Sequence, residues 1–115
     1  MNPKDNLDPY KSPSDAELFV TPHAFADQLY EDQTVLVTGG AGGIGRAICI
    51  LLGRLGARVV TCGRDAEKLD ELKFSLSEHG VDCRAMAMNL RDPDAVATLI
   101  EFARNETGRL DLVCN

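Results

Sequence analysis

The stretch Thr34-Val35-Leu36-Val37-Thr38-Gly39-Gly40-Ala41-Gly42-Gly43-Ile44-Gly45 joins a β-branched apolar run to a turn made almost wholly of glycine. Such a run, bounded by glycine and lacking polar alternation, is the profile of a strand covered on both faces. Beyond the turn, Ile44, Ala47, Ile48, Leu51, Leu52 and Leu55 recur at spacings of three and four, predicting a helix with one buried side that stops at Gly56. Ala57-Arg-Val-Val-Thr-Cys62 reads as a second strand, and Asp65 caps a helix that buries Leu69, Leu72 and Leu76 before Gly80. Residues 82–89 form a third strand. Asp92 and Pro93 then supply a cap and a first helical residue, with Val96, Leu99, Ile100 and Ala103 as the buried stripe and Gly108 as the stop. Leu110 to Cys114 opens a fourth strand. Strand and helix in strict alternation imply an α/β fold, a doubly wound parallel sheet with right-handed crossovers.

The glycine turn admits three readings. Gly40 and Gly45 have the spacing of a phosphate loop, but Arg46-Ala47 stands where a lysine and a hydroxyl residue must reach phosphate and magnesium, which disfavours a nucleoside triphosphatase. Gly40, Gly42 and Gly45 also satisfy the general dinucleotide pattern. Thr38, Gly39, Gly43 and Gly45 fill a third, more specific register, T-G-x-x-x-G-x-G. All three describe backbone N–H groups brought close to an anion at the mouth of a helix, where any Cβ holds the anion away.

Composition narrows the function classes. The 115 residues carry a net charge of −6, and an acidic chain without a basic, aromatic-studded patch gives no support to nucleic-acid binding. The longest apolar run, Ala47 to Leu52, is far below the ~20 residues of a membrane span, and Met1-Asn2-Pro3-Lys4-Asp5 leads into no apolar segment. No membrane partner and a cytoplasmic address are expected. Cys49, Cys62, Cys83 and Cys114 share no short spacing and are expected as buried reduced thiols, with no metal site; His23 and His79 have no ligand-spaced partner. Acids outnumber lysines so strongly in residues 1–33 that this segment holds nearly all the net charge, and it holds four of the five prolines, while all ten glycines follow. Two units are expected: an acidic leader (1–33) and an α/β unit (34–115). Within the leader, residues 1–22 are expected to be extended and poorly ordered, and Ala24 to Tyr30 to form one or two helical turns. Phe25 and Leu29, with Leu18 and Phe19, are the candidates for packing. The leader is either a docking arm for a second subunit or simply solvated.

The TGGAGGIG stretch at 38–45, the Leu55-Gly56-Ala57-Arg58-Val59-Val60 entry to the second strand and Gly63-Arg64-Asp65 at its end together resemble the N-terminal half of a short-chain dehydrogenase/reductase. The resemblance covers about residues 34–115. It implies a Rossmann-type sheet, truncated after the start of the fourth strand, because Asn115 falls where that family begins its Asn-Asn-Ala-Gly motif. The family's catalytic Ser, Tyr and Lys, and an Asn on the following helix, belong beyond residue 115, so no catalytic residue is carried over. In the family a Tyr phenolate, its pKa lowered by the Lys and the nicotinamide, serves hydride transfer to a carbonyl. The expectation for this chain by itself is cofactor binding without turnover, and poor solubility. A chain that is itself the product, a non-catalytic nucleotide-binding or protein-interaction module, is the alternative.

On this resemblance the cofactor-binding residues are Thr38, Gly39, Ala41, Gly42, Gly43, Ile44, Gly45, Arg64, Asn89, Leu90 and Asn115. NAD-selective sites place a carboxylate at the end of the second strand, on the ribose 2′-hydroxyl. Here that place holds Gly63, followed by Arg64, whose guanidinium suits a 2′-phosphate; NADP(H) is therefore favoured over NAD(H). Arg64 as a solvated surface residue, and Asp65 on the ribose instead of at its helix cap, are the competing readings. At the end of the third strand Asn89 stands for the family's adenine-binding Asp, with the Leu90 backbone alongside. Asn89-Leu90-Arg91 is similar to the branch containing peroxisomal-type trans-2-enoyl-CoA and 2,4-dienoyl-CoA reductases, which would imply fatty acid metabolism. Ketone and 3-oxoacyl substrates stay equally open. The family also implies a small-molecule substrate and a homo-oligomer for the full-length protein.

Overall fold

The computed structural model describes residues 11–115. Eight elements follow in order: α1 (Asp15–Val20), β1 (Thr34–Thr38), α2 (Gly43–Arg54), β2 (Arg58–Gly63), α3 (Ala66–Glu78), β3 (Cys83–Ala87), α4 (Pro93–Thr107) and β4 (Leu112–Cys114). The strands form one wholly parallel sheet in the order β3-β2-β1-β4. This is the Rossmann-like layering expected from the alternation, with the winding reversing at β1.

Because successive side chains of a strand point to opposite faces, β1 feeds two cores at once. Val35 and Val37, with Val59 and Cys83, pack beneath Cys49, Ile50 and Leu52 of α2 and Leu72 and Leu76 of α3. Leu36, with Val60 and Cys62, meets Leu99 and Ala103 of α4 on the other face. Every residue from Thr34 to Val37 is buried, which explains the unbroken β-branched run. Asp65, Asp92-Pro93, Gly80 and Gly108 act as the expected starts and stops: both aspartates accept a backbone N–H of the first turn, and both glycines take a positive φ.

Three expectations need correction. Residues 15–20 are helical, not extended; the part of that expectation on residues 1–10 lies outside the described residues. Ser14 caps α1 by accepting the Glu17 amide, and Leu18 and Phe19 pack on the α2–α3 layer, so tertiary burial outweighs the proline-rich composition. Residues 24–30 form bends and turns and no helix; Phe25 and Leu29 are exposed and Tyr30 packs instead. Finally, Ile44 and Val96 are not in the buried stripes of their helices. Ile44, in the first turn of α2, is 82 % exposed, and the buried side chains of that helix begin only at Cys49; Val96 is exposed one turn before the buried Leu99. α2 is apolar nearly all round; its buried side chains are Cys49, Ile50 and Leu52, and Leu55 at its C-cap is buried as well.

All four cysteines are free, three of them buried and Cys114 half-buried. Burial pushes the Cys49 thiol up to about 11 and the Cys83 thiol up to about 12, and raises Cys62 as well, so these groups stay protonated. Among the described residues no helix is long and apolar enough to cross a membrane.

Candidate nucleotide-binding cleft

The carboxyl ends of β1, β2 and β3 open onto a cleft of about 540 Å³ whose walls come from three segments: the glycine turn, residues 62–68 and residues 88–91. Backbone bonds tie these walls to the sheet. Gly39 and Gly40 both donate to the Cys62 carbonyl at 3.0 and 3.2 Å, and Met88 donates to the Gly63 carbonyl at 2.8 Å. A buried hydroxyl adds to this: Thr61 Oγ1 accepts from Gly40 N at 3.1 Å and donates to the Val37 carbonyl at 2.6 Å.

The turn is built for close approach. A Cβ at Gly40 would collide with Thr61 Oγ1 and lie 2.9 Å from Cys49 Sγ, and one at Gly45 would strike the Gly39 carbonyl. Gly39 has a φ of +72°, where L side chains are strained, and faces open space, as Gly42 does. Both therefore leave room on the cleft side that a side chain would fill.

The N-terminus of α2 differs from those of the other three described helices. Ser14, Asp65 and Asp92 each place a side-chain oxygen on a first-turn amide of α1, α3 and α4. Gly42 caps α2 and gives its first turn no such partner. The orphan N–H groups and the positive end of the helix dipole thus stand uncapped beside the cleft. Arg64, Lys68 and Arg91 add three cationic side chains to the lining and Asp65 one carboxylate. In a chain of net charge −6, this cleft gathers positive charge and suits a phosphorylated anion.

The structure brings Gly39, Ala41, Gly42, Arg64, Asn89 and Leu90 together around the cleft. Thr38, Gly43, Ile44, Gly45 and Asn115 lie outside its lining. Thr38 Oγ1 donates to Asn115 Oδ1 at 2.8 Å, joining the ends of β1 and β4 where the winding reverses. Asn89 Oδ1 accepts the Arg91 amide at 3.0 Å, so its oxygen shapes the loop while its NH₂ has no hydrogen-bond partner among the described residues. Asp65 Oδ1 accepts the Lys68 amide at 3.2 Å, as a cap does, and the residue also lines the cleft. Gly63 is hemmed in: a Cβ there would sit 3.2 Å from Ala41 Cβ. Sequence reading missed Lys68 and Arg91. Their signal was proximity, since each lies within four residues of Arg64 or Asn89, but spacing alone does not tell which way a lysine or arginine turns.

The model for short chain dehydrogenase matches residues 33–115. The chain is 39 % identical over 85 residues to 1-deoxy-11-beta-hydroxypentalenate dehydrogenase of Streptomyces avermitilis, covering 74 % of this chain and 32 % of that protein. It is 32 % identical over 94 residues to peroxisomal 2,4-dienoyl-CoA reductase of Danio rerio, covering 81 % and 31 %. A metagenomic short-chain oxidoreductase solved in complex with NADP superposes with a TM-score of 0.68 at 37 % identity, covering 72 % of this chain and 38 % of that one. The chain thus spans about a third of the length of the curated relatives it matches. With the family model matching residues 33–115, the stretch that holds the glycine turn, α2 and the cleft lining, this chain belongs to the short-chain dehydrogenase family.

Proposed function

We propose that the chain forms the NADP(H)-binding half of a dehydrogenase or reductase, with residues 34–115 as the binding unit and residues 1–33 as its leader. One observation carries the reading: the only side-chain-uncapped helix start among the described residues adjoins a cleft ringed by Arg64, Lys68 and Arg91. The diphosphate would lie over Gly39 to Gly45, where the absent Cβ atoms leave room and the first amides of α2 remain free to donate. Arg64 and Lys68 would face the 2′-phosphate. The crowding at Gly63 supports the same choice, because the Cβ of a carboxylate residue there would press on Ala41 Cβ, 3.2 Å away. Asn89 and the Leu90 backbone would edge the adenine. The bound nicotinamide supplies hydride chemistry; this chain's part is to hold and orient it.

The substrate is a small molecule with a carbonyl or an activated C=C bond, and the dienoyl-CoA reductase relative supports the second class. A cytoplasmic address and a homo-oligomer complete the reading. Removing the Arg64 guanidinium tests it. A charge-assisted bond to phosphate contributes ~1.5–3 kcal/mol, so Arg64→Ala should weaken NADPH on the order of tenfold to a hundredfold and NADH less than about twofold. Equal losses for the two cofactors in a fluorescence titration would refute the assignment.

A further inference from the structure

Arg46 follows the last glycine of the turn, and its guanidinium reaches back behind the cleft. Nε and Nη2 donate to the two carboxylate oxygens of Asp15 at 2.8 and 2.7 Å, a two-pronged pair. Nη1 donates to two carbonyls, Ala41 and Lys68, both at 3.2 Å. Ala41 belongs to the glycine turn and Lys68 to the first turn of α3, and both residues line the cleft. One side chain therefore fastens the two opposing walls together from the rear. Asp15, on α1, holds that side chain in place and is itself steadied by Ser75 Oγ, which donates at 2.9 Å. The arginine is 17 % exposed and the aspartate 27 %, so the pair is screened less than a surface ion pair.

We propose that Asp15 and Arg46 are positioning residues that fix the separation of the glycine turn from α3, and so set how tightly the cleft holds a phosphorylated dinucleotide. The proposal deepens the cofactor reading above and rests on it. The planar guanidinium has enough donors for a carboxylate and two carbonyls at once, and a lysine ammonium lacks that reach and geometry. Without Asp15 the Nε and Nη2 donors turn to solvent, and the rotamer that carries Nη1 to Ala41 and Lys68 is no longer imposed. α1 keeps other attachments: Arg54 Nη1 donates to the Leu18 carbonyl at 2.8 Å, and the Phe19 ring stacks on His79 with centroids 3.5 Å apart. Loss of the carboxylate charge therefore perturbs the brace without releasing the helix.

The test combines Asp15→Asn, Arg46→Lys and the milder Ser75→Ala, each measured by NADPH titration and by amide hydrogen exchange. Expected for Asp15→Asn is a Kd raised about three- to thirtyfold, together with faster exchange at residues 40–45 and 66–69 in the absence of NADPH. Arg46→Lys should do the same and Ser75→Ala should follow in the same direction with a smaller effect. Faster exchange confined to residues 15–20 would overturn the brace, as would unchanged NADPH affinity in a protein whose turn has loosened. A wild-type protein that binds no NADPH would instead refute the cofactor reading, and the exchange pattern would still decide whether Arg46 holds the two walls.

Discussion

Giving α2 the cap it lacks should set stability and cofactor binding against each other. In Gly42→Asp, the backbone is already extended, with φ −164° and ψ 177°, and a Cβ there meets nothing within 4 Å. A carboxylate can therefore reach the amides of the first turn, as Asp65 and Asp92 do on their own helices. The cap is worth a few tenths of a kcal/mol over glycine, and a negative charge at a helix N-terminus adds ~0.3–1 kcal/mol. Together they should stabilise the fold by about 0.5–1 kcal/mol. The same carboxylate occupies the place proposed for the diphosphate. Two unit charges about 4 Å apart repel by ~4 kcal/mol at the effective dielectric of a protein surface, and even half of that lowers affinity more than tenfold. Urea unfolding and NADPH titration on one preparation measure both effects, with Gly42→Ala as the variant that adds bulk without charge. Stability gained together with undiminished NADPH affinity would show that the α2 terminus does not receive the phosphates. A loss of stability would refute the claim that the helix start is open to a cap.

Two further outcomes follow from the charges and thiols. The Arg46 bond holds the Asp15 carboxyl below its ordinary value of 3.8. A carboxyl whose folded pKa is depressed stabilises the fold above its unfolded value and loses that contribution as pH falls through the folded one. Unfolding free energy measured from pH 5 down to pH 3 should therefore fall more steeply in wild type than in Asp15→Asn; parallel curves would remove Asp15 from the acid response. With Cys49 and Cys83 raised to about 11 and 12 and Cys62 fully buried, a thiol reagent at pH 8 should modify Cys114 quickly and the other three only after denaturation. Three fast thiols in the folded protein would contradict the packing of the α2–α3 face.

The sheet and its helices were legible because each signal was local. The run Thr34 to Val37 had no polar interruption to hide, and Asp65, Asp92-Pro93, Gly80 and Gly108 punctuate helices by rules that act within a turn. What escaped was set by partners distant in sequence. Residues 15–20 look like part of a solvated leader until Asp15 meets Arg46, 31 residues away, and Phe19 meets His79. Ile44 satisfies the helical period perfectly well, yet burial along α2 begins only at Cys49, and no periodicity in the helix records where its neighbours start to cover it. The cleft was half legible. Its glycines are dictated by backbone chemistry and can be read directly, whereas the place of Lys68 and Arg91 in the lining depends on how the start of α3 and residues 88–91 come together across the sheet.

The strand order has a bearing on how the molecule is made. β1 sits between β2 and β4, and its pairing with β4 joins Val35 to Leu112 and Val37 to Cys114. Emerging from the ribosome, β1 can zip to β2 and then β3 while its other flank waits for Leu112 to Cys114, with the entropic cost of a long closure still to be met. During synthesis this bare flank is a sticky edge, and a nascent chain stalled at that stage should attract a chaperone, or another copy of itself, until Leu112 to Cys114 arrive.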